Sequence, residues 1–233
     1  MHVPDGFLDA PTSVATAVAA VGVVAYSLRR SVRRELDERT APLAGLVAVF
    51  VFAAQMVNFP VGAGTSGHLL GGALAAVLVG PATATLSITV VLTVQAFLFA
   101  DGGVTALGTN VLLMAVVGVW VGYGVFRAVL ALLPRRLGSV PWAAGAGAFL
   151  SVPAAALAFV GLYAVGGAAP IPLGTMAAAM GGWHVLIGLG EGAITVLAVG
   201  SVVAARPDLV YGARGRMPEL ELRTPEGSRE VVA

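Results

Sequence analysis

The sequence predicts an all-α fold, a polytopic membrane helix bundle of seven transmembrane helices with its amino terminus external. Three observations lead there. The 233 residues are 58% hydrophobic and only 11% charged, against roughly 25% charged in soluble domains, and mean hydropathy is +0.93. Apolar runs approaching the about 20 residues of a membrane-crossing helix recur along the chain. All thirteen basic residues are arginine, and they fall in clusters. The net charge is +1, with no basic face outside the hydrophobic segments to suggest nucleic-acid binding. There is no cysteine, which excludes disulfides and thiolate metal or redox sites.

The seven segments follow from hydropathy and turn residues. The first, residues 10–28, is preceded by Asp5 and Asp9 and followed by arginines, the reverse of the charge order in a cleaved signal peptide. The second covers 43–59 and the third, 68–80, is short. The fourth (82–100) follows Gly80-Pro81, and the fifth (105–133) follows Asp101-Gly102-Gly103. The sixth (141–165) and seventh (175–204) are introduced by the stretches 134–139 and 166–174, both rich in turn residues. Residues 1–205 are thus the expected transmembrane domain. Residues 206–233, with Pro207, Pro218 and Pro225, are expected to be a polar, loosely ordered cytoplasmic tail.

Arginine sets the expected orientation. Arg29, Arg30, Arg33, Arg34 and Arg39 follow the first segment. Arg127, Arg135 and Arg136 close the fifth, and Arg206, Arg214, Arg216, Arg223 and Arg229 follow the seventh. With seven spans and an external amino terminus, all thirteen are cytoplasmic, as the positive-inside rule requires. A six-helix arrangement would put one cluster on the wrong face. The first nine residues, 58–68, 100–110 and 166–174 then share the external face.

The chain begins Met1-His2-Val3-Pro4-Asp5-Gly6-Phe7-Leu8. A histidine in second position offers three nitrogens: the α-amine of Met1, its own backbone amide and imidazole Nδ1. They close a five- and a six-membered chelate ring, a planar set suited to Ni(II) or Cu(II). The α-amine, with an ordinary pKa of about 7.7–8.0, loses its proton at little cost near neutrality. The bulk of His2 is expected to protect Met1 from removal. The plainer alternative is an exposed histidine beside a start codon. A fourth donor is offered by His68, in the glycine-rich 58–68 stretch. At a helix amino terminus, the macrodipole would help keep it neutral. Its plainer alternative is a helix cap or a loop hydrogen bond.

These residues carry a resemblance. Met1–Leu8, the 58–70 stretch with its Gly-Thr-Ser-Gly-His run, Leu98-Phe99-Ala100-Asp101-Gly102-Gly103 with Asn110, and His184-Val185-Leu186-Ile187-Gly188-Leu189-Gly190-Glu191 together resemble the CbiM/NikM family. Its members are the membrane-embedded, substrate-binding S components of energy-coupling factor (ECF) transporters for cobalt and nickel. The resemblance implies a seven-helix fold with the metal held by the amino terminus of Met1, His2 and a loop histidine, here His68. It implies ATP-driven uptake of Co(II) or Ni(II) with a transmembrane T component, ATPase subunits and a small accessory membrane protein as partners. No cofactor is implied beyond the transported ion. The chain has no lysine and hence no phosphate-binding loop motif, so ATP hydrolysis is expected on partner subunits and the chain is not expected to be an enzyme.

Other polar residues fall at expected membrane depth, where ionisable groups point to function. His184 and Glu191 are two helical turns apart, about 10 Å along one face. Their alternatives are support of the metal site by His184 or hydrogen bonding between helices by both. Asn58, Thr65, Ser66, Asp101 and Asn110, with His184, are the expected supports around the metal, helix capping being the alternative for the carboxylate and amides. Gln55 and Gln95 lie at the same end. Ala15 and Ala19, a small-residue pair on the first segment, are the expected contact with the T component. Two other functions remain open at this stage: a membrane metalloenzyme using His184 and Glu191, or a structural bundle without metal. The ligands do not decide between cobalt and nickel.

Overall fold

The computed structural model describes residues 2–38, 40–62 and 65–217, the side chains of Gly62 and Thr65 excepted. Each apolar segment contains one helix: α1 (Ala10–Arg34), α2 (Thr40–Met56), α3 (Gly72–Val79), α4 (Pro81–Leu98), α5 (Leu107–Leu132), α6 (Ser139–Gly166) and α7 (Leu173–Ala205). An antiparallel hairpin of β1 (Phe59–Gly62) and β2 (Thr65–Gly67) precedes α3. Among the described residues five helices, α1 and α4–α7, are long and apolar enough to cross a bilayer; α2 is apolar but shorter.

The polarity of α1 is reversed relative to a soluble helix. Asp9 caps its start by accepting from Thr12 N–H at 2.9 Å, and Pro11 suits the first turn. Its buried face is Thr12, Thr16, Ala20, Ser27 and Ser31, while Val14, Val18 and Val21 point outward. Hydroxyl pairs secure the inner face: Thr16 to Thr109 of α5 at 2.8 Å and Ser31 to Thr83 of α4 at 2.7 Å. Lipid tails are as apolar as the bundle interior, so packing and hydrogen bonds, not exclusion from water, hold such helices together. The helix continues through Arg33 and Arg34 into its last turn, where cations oppose the negative end of the dipole. Hydropathy alone ended this segment at residue 28.

The third segment is the unusual one. All eight residues of α3 are buried, and at 1.5 Å per residue it is only about 12 Å long. Leu69–Gly71 lead into it without secondary structure. Non-helical backbone at this depth must find partners within the protein, and it does. Glu191 of α7, 2% exposed, accepts from Leu70 N–H at 2.6 Å and from Gly71 N–H at 2.9 Å, one per carboxyl oxygen. Gln55 of α2 donates to the Leu70 carbonyl at 2.8 Å. Gly71, at φ 73°, turns the chain into the helix. At the far end Gly80, at φ 93°, passes directly into α4. There Glu35, which ends α1, accepts from Thr83 N–H at 2.8 Å and from Arg30 at 3.3 Å.

Residues 207–217 do not drift away from the bundle. Two 3₁₀ turns, Pro207–Leu209 and Tyr211–Arg216, fold back on it and bury Val210 and Ala213. The loosely ordered tail expected from residue 206 therefore begins with a packed stretch, because these two side chains interrupt its polar composition with apolar anchors. Residues 218–233 lie outside the described residues.

Replacing Glu191 by Gln leaves one acceptor where two N–H groups need one each. The Glu191→Gln protein should lose about 1–3 kcal/mol of stability, read as a lower midpoint in thermal unfolding in detergent. Glu191→Asp, which keeps both acceptors on a shorter arm, should lose less.

Candidate metal centre

The four stretches expected to share one face do meet at one end of the bundle. Asn110 grips the third residue with both ends of its carboxamide: Val3 N–H donates to Oδ1 at 2.7 Å and Nδ2 donates to the Val3 carbonyl at 3.1 Å. Gly103 N–H donates to the same carbonyl at 2.9 Å. Asp5 accepts from Thr105 N–H at 2.8 Å and from its hydroxyl at 2.5 Å. Those two bonds hold the exposed Asp5 carboxyl below its ordinary range. Phe7 inserts beside Phe159 and Tyr163 of α6. Leu8 bridges Gly167, flanked by bonds from Ala168 N–H to the Phe7 carbonyl and from Asp9 N–H to the Gly166 carbonyl. The Tyr163 hydroxyl secures the 166–174 loop by donating to the Ala169 carbonyl at 2.5 Å. Every residue from Val3 to Asp9 except Pro4 and Gly6 thus has a named anchor.

That anchoring delivers His2 into the interior, 5% exposed. Its ring stacks on that of His68, with centroids 4.4 Å apart and planes inclined by 29°. Its Nε2 lies 3.2 Å from Gln95 Oε1 on α4. Its Nδ1 lies 3.1 Å from Asp101 Oδ1 without the alignment of a hydrogen bond, and has no other partner among the described residues. With Nε2 donating to the Gln95 carbonyl oxygen, the Nδ1 lone pair is left for a ligand. Ala100, at φ 52°, turns the chain out of α4. Asp101 N–H then returns to the Gln95 carbonyl at 3.1 Å, which sets residues 95 and 101 around one imidazole. The Asn58 amide nitrogen lies 3.4 Å from the other Asp101 carboxyl oxygen.

His68 follows directly on β2 and is 1% exposed. Its Nδ1 donates to the Leu69 carbonyl at 2.8 Å. A carbonyl only accepts, so in the neutral ring the lone pair is on Nε2, which is buried without a partner. The expectation that a helix dipole keeps His68 neutral is corrected here: the helix starts four residues later, at Gly72, beyond the first-turn reach of that effect. His184 repeats the pattern: Nδ1 faces the Met180 carbonyl at 2.8 Å, and Nε2 is buried without a partner. An unpaired buried polar atom costs about 1–3 kcal/mol, so the unpaired imidazole nitrogens of His2, His68 and His184 mark groups that a ligand would satisfy.

The other candidates are placed as follows. Met1, the side chain of Thr65 and residues 63–64 lie outside the described residues. Ser66 sits half-buried on β2 opposite Pro60. Ala15 and Ala19 are exposed on the outer face of α1, away from this end's polar groups. Among the described residues no group of three or more His, Cys, Asp and Glu side chains is disposed to hold a metal ion by itself, and the two histidines that stack, His2 and His68, are accompanied there by Asp101. Sequence reasoning missed the part of Glu191, which holds the chain two and three residues after His68. The signal was present in a lone carboxylate within an apolar helix: buried, it needs donors, and the N–H groups near a Gly-Gly break were available. Residues 111–118, directly after Asn110, are π-helical, a wide-turn distortion that often marks functional sites.

Residues 2–209 match the CbiM family, described as "Cobalt uptake substrate-specific transmembrane region". A putative fused nickel transport protein NikMN of Archaeoglobus fulgidus is 42% identical over 217 residues, 90% of this chain and 68% of that protein. The cobalt transport protein CbiM of Sorangium cellulosum is 37% identical over 90% of this chain and 94% of its own length. A crystal structure of a truncated transition metal transporter superposes with a TM-score of 0.81 at 31% identity, covering 88% of this chain and 99% of that one.

One outcome tests the geometry. A Cβ at Gly103 would overlap Asp5 N and the Pro4 carbonyl carbon. Gly103→Ala should therefore dislodge the amino-terminal segment and, like Asn110→Ala, weaken metal binding by about 10–100-fold, measured by calorimetry.

Proposed function

The chain belongs to the CbiM family of cobalt uptake substrate-specific transmembrane regions, and we propose that it is the substrate-binding S component of an ECF transporter, capturing Co(II) or Ni(II) at the external face for ATP-driven uptake. The observation that carries this reading is the pairing of His2 with His68, both buried and each with an unpartnered ring nitrogen. In this reading the Met1 amine, the His2 amide and Nδ1, and His68 Nε2 are the donors. Gln95 orients His2, and Asp101 supplies negative charge beside it. Asn110, Asp5 and Phe7 fix the amino-terminal strand, so that binding does not have to order it first. His184 stands behind His68 with a further free nitrogen on the inward side. Family membership makes the chain a transport component rather than an enzyme.

The membrane arrangement belongs to the same proposal. Residues 68–80 make a third crossing, its first part non-helical and its second the eight-residue α3. With seven crossings, the arginine-rich end is cytoplasmic and the histidine end external. The outward face of α1, with Ala15 and Ala19, then offers itself to the T component, while ATPase subunits and a small accessory membrane protein complete the transporter.

The test is direct. The protein with its native amino terminus should bind Ni(II) or Co(II) stoichiometrically. One residue added before Met1, which moves His2 to third position and breaks the chelate rings, should abolish that binding, as should His68→Ala. Unchanged metal content in both variants would overturn the site. Metal binding without ATP-dependent uptake in the presence of the T component and ATPases would overturn the transporter role alone.

A further inference from the structure

The opposite end of the bundle holds a cavity of about 530 Å³ lined by Arg34, Arg127, Arg135, Arg214 and Arg216. These come from four places in the chain: the end of α1, α5, the loop after it and the 3₁₀ turn of residues 211–216. No acidic side chain lines it among the described residues. Asp37 lies 3.6 Å from Arg214. Arg34, Arg127 and Arg135 have no carboxylate within ion-pair distance among the described residues. Two of the guanidiniums are held in place. Arg216 donates to the closing carbonyls of α5, at Leu130, Leu133 and Pro134, and Arg214 lies over the Tyr211 ring at 4.9 Å.

Five like charges in one concavity repel one another unless an anion sits among them. Guanidinium forks match phosphate oxygens two at a time. The depth also points to the anion's source. The 25-residue α1 is about 37 Å long against a hydrocarbon core of about 30 Å, so its last turn, with Arg34, lies among headgroups. Tyr123 and Tyr211 in the lining suit that interface, and Leu130 and Ala131 give the cavity an apolar side where a glycerol backbone can rest. We propose that this cavity binds the phosphate of an anionic phospholipid headgroup. The assignment does not depend on the metal site at the other end.

The experiment uses the full chain in detergent, with retained lipid counted by native mass spectrometry after exposure to phosphatidylglycerol or phosphatidylcholine. Phosphatidylglycerol should be retained in preference. The triple variant Arg34→Gln, Arg127→Gln, Arg135→Gln should retain it about 100-fold less well, while the corresponding triple Arg→Lys variant, which keeps the charge without the forks, should lose less. An unchanged helical circular dichroism spectrum in both variants reports that they are folded. Equal retention of the two lipids, or full retention by the Gln variant, would overturn the proposal. Inorganic phosphate is titrated in parallel: protection of the wild-type protein by phosphate without lipid preference would keep an anion site and overturn its lipid source. Glu219 and Glu221 follow shortly in sequence. If lipid is retained only after deletion of residues 218–233, the occupant is the chain's own acidic segment and the proposal fails.

Discussion

The carboxyl group of Glu191 and the two backbone N–H groups it receives, from Leu70 and Gly71, are the constraint on which the metal end of the molecule rests. The chain must leave helical geometry after β2 to bring His68 into the interior. Each exposed amide in an apolar bundle costs several kcal/mol unless something accepts its proton. Glu191 accepts two at once from the middle of α7, and Gln55 returns a donor to the carbonyl between them. The cost of burying a carboxyl is thereby turned into the positioning of a histidine. Neither group would be tolerable alone.

The two ends of the bundle are built on different principles. At the histidine end, short side-chain-to-backbone bonds from Asn110, Asp5 and Tyr163 hold irregular segments at fixed spacing, and ring nitrogens are left without partners. At the arginine end, helices stop in regular fashion, Glu35 joins α1 to α4, and charge accumulates around an open cavity. Between the ends, Thr16 pairs with Thr109 and Ser31 with Thr83, while the hydroxyls of Ser27 and Thr195 are buried without a hydrogen-bond partner among the described residues.

Much of this was legible in the sequence. Hydropathy marks all seven apolar segments because burial in lipid leaves no room for charged interruptions, and each contains a helix. It misjudges ends where the helix runs on into charge, as α1 does to Arg34. It also misjudges the interior of 68–80, where non-helical backbone and helix have the same hydropathy. Candidate donors were few because cysteine is absent and there are three histidines, so His2 and His68 stood out by scarcity. Asp101 and Asn110 stood out as polar residues at helix ends, but not the specific grip of Asn110 on Val3.

Composition and pattern by themselves determined that this chain is a membrane helix bundle, that its arginines gather at one end, and that any nitrogen-rich site must draw on His2, His68 or His184. Those properties are sums over residues or local periodicities, and no folding is needed to read them. Only the tertiary structure decided that residues 2 and 68 stack at 4.4 Å, that residues 95 and 101 flank one imidazole, and that residue 191 braces residues 70 and 71. Each of those contacts joins segments tens of residues apart. Their alignment depends on helix tilt, turn geometry and the non-helical stretch before α3, none of which leaves a periodic trace in the sequence.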